Sequence, residues 1–357
     1  MRGQANLDEI RLEFYGDGTA MFEAFKAGEL NSSREFNVEK WDTQYDFPAI
    51  DRGDVIKSVI PHERPSGMTG FVMNTRRAPF GDWRVRDALI HAFNFEFINE
   101  TLTGGALPRI SSYFSNSVLA TQPGPAPANV AALLKPFAGT LPADSIEGYA
   151  LPVSDGSARN RAGIRAAMKQ LQAAGYSAEG GTMRAPDGTP LSFNILLSKG
   201  NAEHTKIAEL YVQALTRLGI VAQVETVDEA QLTARINSFD FDMAHFRRAL
   251  SLSPGNEQRF YWGSEAATQE GSRNLMGLES PAVDAMIDTM LAAKTSEEFT
   301  AATRALDRLL TAGRYVIPFW QFNEGLIAHR VEMKYPDTLP IYGDGPNFMP
   351  EVWWYEE

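Results

Sequence analysis

Apolar positions along this chain recur with two periods, one every second residue and one every three to four. In DEIRLEFY, Ile10, Leu12 and Phe14 alternate with charged neighbours, which predicts an amphipathic strand over residues 10–15. The strand starts without a lead-in turn, as though the chain begins mid-domain, so an upstream segment is expected. Residues 19–28 place Met21, Phe22 and Phe25 on one helical face, with Gly28 as the stop. The stretch 37–69 is mixed and rich in turn residues, and GFVMNT at 70–75 returns to an apolar strand. Asp82 caps a helix predicted over 83–102, because Val85, Leu89, Ala92, Phe93 and Phe97 recur at helical steps.

Residues 103–158 break the pattern with Pro108, Pro123, Pro125, Pro127, Pro136, Pro142 and Pro152, and read as a long surface excursion. From 160 the two periods alternate: helix 160–174, strand 191–198, helix 203–218, strand 221–227, helix 229–236, strand 241–246. That order implies an α/β fold whose parallel sheet is covered by helices on both faces through right-handed crossovers. Two further helices begin at Ser280-Pro281 and at the capping box Thr295-x-x-Glu298, ahead of a strand over 315–323.

Composition narrows the functional classes. A formal charge of −12 opposes approach to a phosphate backbone or an anionic membrane, so nucleic acid is not an expected partner. Without cysteine there is no disulfide, thiolate zinc site, iron–sulfur cluster or thiol nucleophile. No apolar run has the length of a membrane span, and MRGQANLDEIRLEF has no signal-like core. Phosphate-loop, dinucleotide, nucleophile-elbow and zincin motifs are all missing, so neither a catalytic residue nor a cofactor is assigned. His62, His91, His204, His245 and His329 never fall three or four apart, and His245 alternates away from Asp240 and Asp242, so no metal site is assigned.

The segment SLSPGNEQRFYWGS, 251–264, stands out because it follows a strand at the carboxyl edge of the inferred sheet, where ligands of α/β folds bind. Ser251, Ser253 and Asn256 offer neutral hydrogen bonds, Glu257 a carboxylate, and Trp262 a flat apolar surface. Arg247 and Arg248, just before it, suit a ligand carboxylate. The bland alternatives are an ordinary polar loop with core aromatics and a solvated basic pair. Trp353-Trp354-Tyr355 is expected to pack on the core.

These stretches together resemble the bacterial extracellular solute-binding proteins of the peptide/nickel type, family 5. DEIRLEFYGDGTAMFEAFKAGEL is similar to the family's strand, helix and xxGE turn, and FVMNTRRAPFGDWRVRDALIHAFNFEFI to its segment of invariant-looking Asn, Pro-Phe and Val-Arg. AELYVQALTRLGIVAQVETVD, FDMAHFRRALSLSPGNEQRFYWGS, TRALDRLLTAGRYVIPFWQF and the WWY ending resemble the YejA-like branch, importers of oligopeptides.

The resemblance implies a periplasmic-binding-protein-like fold, type II and cluster C-like, with a complete second lobe and part of the first. Residues 1–74 and 316–357 would belong to the first lobe and 75–315 to the second. It further implies a periplasmic, usually monomeric protein that is not an enzyme. Such a protein captures oligopeptide or modified-peptide ligands between two lobes and hands them to an inner-membrane ABC permease. A nickel- or opine-type ligand, or a peptide or glycan hydrolase, is the alternative. Many family members hold a peptide's free amine with an aspartate in the loop after the strand equivalent to 241–246. RRALSLSPGNE has none, so the ligand amine is expected to be blocked, absent or solvated, with Glu257 as the rival anchor.

Overall fold

The computed structural model describes residues 3–15, 18–345 and 351–356. The chain divides into two compact units, Met1–Arg64 with Phe322–Glu357, and Pro65–Gln321. In chain order the first unit contributes α1 (Gly18–Lys26), β1 (Ser32–Glu35), α2 (Val38–Thr43), α3 (Pro48–Asp51) and β2 (Val55–Pro61). The second unit opens with β3 (Met68–Met73), α4 (Ala78–Gly81), α5 (Trp83–Ala92), α6 (Phe95–Thr103), α7 (Ala128–Leu134) and α8 (Arg161–Ala173). A hairpin, β4 (Ser177–Glu179) and β5 (Thr182–Arg184), precedes β6 (Ser192–Ser198), α9 (Ala202–Thr216), β7 (Val221–Val227), α10 (Glu229–Asn237) and β8 (Met243–Arg248). After α11 (Glu257–Trp262), α12 (Pro281–Ala292), α13 (Ser296–Ala312) and β9 (Val316–Pro318), the chain returns to the first unit as β10 (Glu324–Arg330).

In the first unit β10 pairs antiparallel with β1 on one side and β2 on the other. Phe22 and Phe25 of α1 and Trp41 of α2 cover one face with Leu326 and Ala328, while Ile327, Met333 and Trp353 fill the other. Trp353 is fully buried against His329 and Tyr335, but Tyr355 is 46% exposed, so of the terminal trio only Trp353 is a core residue. Residues 10–15 form no strand: Ile10, Leu12 and Phe14 are 49%, 74% and 92% exposed. Alternation yields a strand only where a neighbour takes up the backbone hydrogen bonds. None of the described residues does so here.

The second unit is built on a five-stranded sheet of order β7-β6-β8-β3-β9. β6 runs parallel to β7 and β8, as the alternating sequence requires, but β3 is antiparallel to β8 and β9. The wholly parallel sheet expected from the sequence is thus corrected to a mixed one. β3 follows no earlier strand of this sheet, so the crossover rule does not fix its direction. One face carries Val72, Leu196, Ala244 and Phe246 against α12 and α13, and the other carries Phe71 against Tyr211 of α9.

Two other expectations change for tertiary reasons. The helix expected over 83–102 is two, α5 and α6, broken at Phe93 (ψ 107°) and Asn94. Phe93 turns to stack on Phe319 at 5.8 Å, and Asn94 bonds Ser154 at 2.6 Å and the Ser157 carbonyl at 2.8 Å. The stretch 103–158 is not a surface excursion: Ile110, Tyr113, Phe114, Leu119, Val130 and Leu134 are core residues packed with α13. Asp307, fully buried, accepts from the Ser112 hydroxyl at 2.6 Å and from the backbone N–H groups of Tyr113 and Thr121.

Candidate functional site

β6, β8 and β9 point the same way, so their carboxyl ends share one edge of the second unit's sheet, the side on which α/β proteins bind ligands. β8 runs to Arg248, two residues beyond the expected end, which keeps Arg247 and Arg248 in strand geometry. Successive strand side chains take opposite faces. Arg248 therefore follows Phe246 and lies over the Tyr261 ring at 4.2 Å, and burial lowers its pKa from the usual arginine range. Arg247 falls on the His245 face, exposed, and among the described residues its side chain makes neither a hydrogen bond nor an ion pair. The two arginines cannot grip one carboxylate together.

Gly67 fixes the start of the following loop. Its φ is +66°, and a Cβ there would sit 2.0 Å from the Arg248 carbonyl oxygen, so only glycine allows the two backbones to lie this close. In the loop, Ser251 is half-buried and accepts from the Ser253 N–H at 3.2 Å, and Ser253 is exposed. Asn256 is exposed ahead of α11 and its side chain makes no capping bond. It borders a groove of about 450 Å³ whose wall carries the Arg259–Asp288 ion pair at 2.7 Å.

Glu257 is not a free carboxylate. Its Oε1 accepts from the Gly255 N–H at 2.8 Å and from the Gln258 amide at 3.1 Å. Burial acts to raise its carboxyl, but those two hydrogen bonds outweigh it and leave the group below the usual range. Trp262 is a correction. It is 0% exposed, packs edge-on to Tyr113 at 5.2 Å and donates to the Gln258 side chain at 2.7 Å, so it is core and presents no face to a ligand. In helix α11 the i,i+4 spacing of Gln258 and Trp262 turns both inward, while Phe260 remains 40% exposed.

A pair that sequence spacing could not reveal lies at the same edge. His204, on the first turn of α9, stacks on His245 of β8 with ring centroids 3.7 Å apart and planes 27° off parallel, beside Phe319. Burial lowers the two imidazoles to about 4 and about 3, with the neighbouring His204 and Arg247 lowering His245 further, so both rings are neutral near pH 7. Among the described residues no three His, Cys, Asp or Glu gather as a metal set, and no helix is long and apolar enough to cross a membrane.

Comparison with known proteins places this arrangement in context. Residues 1–270 match the family described as bacterial extracellular solute-binding proteins, family 5 Middle. The chain is 38% identical over 360 residues to the peptidoglycan-binding protein YepA of Agrobacterium fabrum, covering 99% of this chain and 58% of that protein. It is 33% identical over 359 residues to YejA of Escherichia coli K12, with 99% and 58% covered. Among solved structures it resembles the oligopeptide-binding protein AppA of Bacillus subtilis in complex with a nonapeptide (TM-score 0.71, 16% identity, 96% of this chain and 59% of that one). It also resembles NikZ of Campylobacter jejuni in complex with Ni(L-His) (TM-score 0.70, 14% identity, 95% and 60%). The chain therefore spans just under three fifths of the length of these relatives. With its fold and its sequence in agreement, the chain belongs to family 5 of the bacterial extracellular solute-binding proteins.

Proposed function

We propose that this chain is part of the substrate-binding component of an ABC importer, working in the periplasm to capture oligopeptide or peptide-like ligands and pass them to a membrane permease. Family membership and the printed names of its relatives support the class. The observation that carries the finer reading is the end of β8. Arg247 is exposed, its side chain has no hydrogen bond or ion pair among the described residues, it precedes a loop carrying the hydroxyls of Ser251 and Ser253, and no aspartate occurs from 247 to 256. A ligand end met there is a carboxylate, since a charge-assisted bond to arginine needs an anion and an ammonium would find no free counter-charge. Glu257, with its Oε1 already accepting two hydrogen bonds, is a poor amine anchor. The ligand is bound and released without any bond being made or broken.

Calorimetric titration with one short peptide as free acid, as carboxyl-terminal amide and as amino-acetylated acid tests this. Amidation is expected to weaken binding about tenfold, the equivalent of ~1.4 kcal/mol, and acetylation to leave it unchanged. A preference for the free amine that disappears in Glu257→Gln would overturn the carboxylate reading.

A further inference from the structure

The stretch between α6 and α8, which the sequence leaves without a task, forms most of a half-open cavity of about 280 Å³ in the second unit. Arg308 of α13 holds its rim. This side chain is 4% exposed and donates to the carbonyls of Gln122, Gly124, Ser145 and Ile146 at 2.6–3.1 Å and to the Thr121 hydroxyl at 3.1 Å. The two rim segments touch so closely that a Cβ on Gly148, whose φ is +100°, would fall 2.3 Å from the Gly124 oxygen. The walls are thus set before any ligand arrives, which removes an ordering cost from binding.

Among the described residues, two donors in those walls have nothing to donate to. Arg109 uses Nε and Nη1 on the carbonyls of Pro318 and Pro152, at 3.3 and 3.0 Å, and its guanidinium lies 5.0 Å from the Phe95 ring centre. Its Nη2 is buried without a hydrogen-bond partner. The hydroxyl of Tyr149 is likewise buried and unpartnered, and the group over its ring, the Arg314 guanidinium at 4.1 Å, cannot accept. Buried donors are rarely left unmet, and those that are commonly mark a missing partner. Arg109 and Tyr149 both line the cavity.

We propose that this cavity is a ligand site separate from the end of β8, and that it takes a small monocarboxylate the size of a single amino acid, whose oxygens accept from Arg109 and Tyr149. A cavity of about 280 Å³ suits a small ligand better than an oligopeptide. Glu96 and Asp144 in the lining disfavour a dianion such as sulfate, and Glu96 suits the ammonium of an α-amino acid.

Nuclear magnetic resonance titration of the chain with L-alanine, acetate, L-alaninamide and inorganic sulfate tests the assignment. L-Alanine and acetate are expected to saturate and to shift signals from residues 109–153. Tyr149→Phe, which keeps the ring beneath Arg314, should weaken both by about tenfold, and Arg109→Gln should do the same or more. The proposal is overturned if neither carboxylate saturates, or if L-alaninamide or sulfate matches L-alanine. It is also overturned if the shifts fall on residues 247–257, or if Tyr149→Phe binds as tightly as the parent.

Discussion

Residues 104–160, apart from the short helix α7, and residues 249–256 are irregular and rich in Pro, Gly and Ser, yet the first is threaded through the core of the second unit and the second lies on its surface. The longer stretch is pinned from α13: Asp307 receives its backbone N–H groups and Arg308 collects its carbonyls, so two adjacent helical residues satisfy polar groups that regular structure would otherwise have to pair. The shorter loop is held by its own residues, Ser251 to Ser253 and Glu257 to Gly255, and leaves Arg247, Ser253 and Asn256 in solvent. Irregular chain is therefore not the same as available chain. What separates the two is where the backbone hydrogen bonds go.

The difference is broken most severely at Arg308. Arg308→Ala strips five acceptors of their donor and leaves a void, so unfolding free energy should fall by about 3–5 kcal/mol, read as a lower urea midpoint. Ser253→Ala in the other loop should stay within about 0.5 kcal/mol. Asp307→Asn is the finer version. One acceptor oxygen becomes a donor facing N–H or O–H groups, and a loss of about 2–3 kcal/mol is expected by the same measurement.

Acidification tests the face that the surface loop shares with β8. His204 and His245 are held neutral, with values depressed from 6.5 to about 4 and about 3. The unfolded chain binds protons below pH 6.5 that the folded one refuses, so their contribution is complete above 6.5 and is lost as the pH falls toward 4. Each ring should cost on the order of 2 kcal/mol between pH 6.5 and 5, at ~1.4 kcal/mol per pH unit. Asp307 acts in the opposite sense: burial raises it to about 6, so its penalty is relieved on the acid side. His245→Phe should remove roughly half of the loss due to this pair, seen in urea midpoints at pH 5 and 7, while His62, His91 and His329, also lowered by burial, keep their own share. The smallest effect belongs to Arg247→Gln, which should leave stability within about 0.5 kcal/mol while lowering affinity for a free-acid peptide. A matching loss of stability would mean that Arg247 is structural.

Where the cause of an element is local, the sequence was enough to read it. The capping box at Thr295 and Glu298, the helix expected over 160–174 and the strand over Val221–Val227 formed as expected, because their hydrogen bonds or periodicity lie within a few residues. Three features depended on distant partners and were not legible: the break at Phe93-Asn94, the inward turn of Trp262 and the burial of the proline-rich stretch. Phe93 bends toward Phe319, more than two hundred residues away, and no window of helical periodicity contains that information. At the candidate site the residue types were legible but their directions were not. The extension of β8 to Arg248 sends the two arginines to opposite faces, and the His204–His245 stack joins two elements that sequence spacing treats as unrelated.

The central claim is that this chain holds peptides and leaves them intact. Equilibrium dialysis against a defined mixture of short peptides, followed by mass spectrometry of the retained and free pools, tests it most directly. The account predicts retention of unchanged peptides, enriched in those with a free carboxyl terminus and depleted in their amides. Retention no greater than with an unrelated protein of similar charge, or the appearance of cleaved products that a single substitution in this chain abolishes, would contradict it.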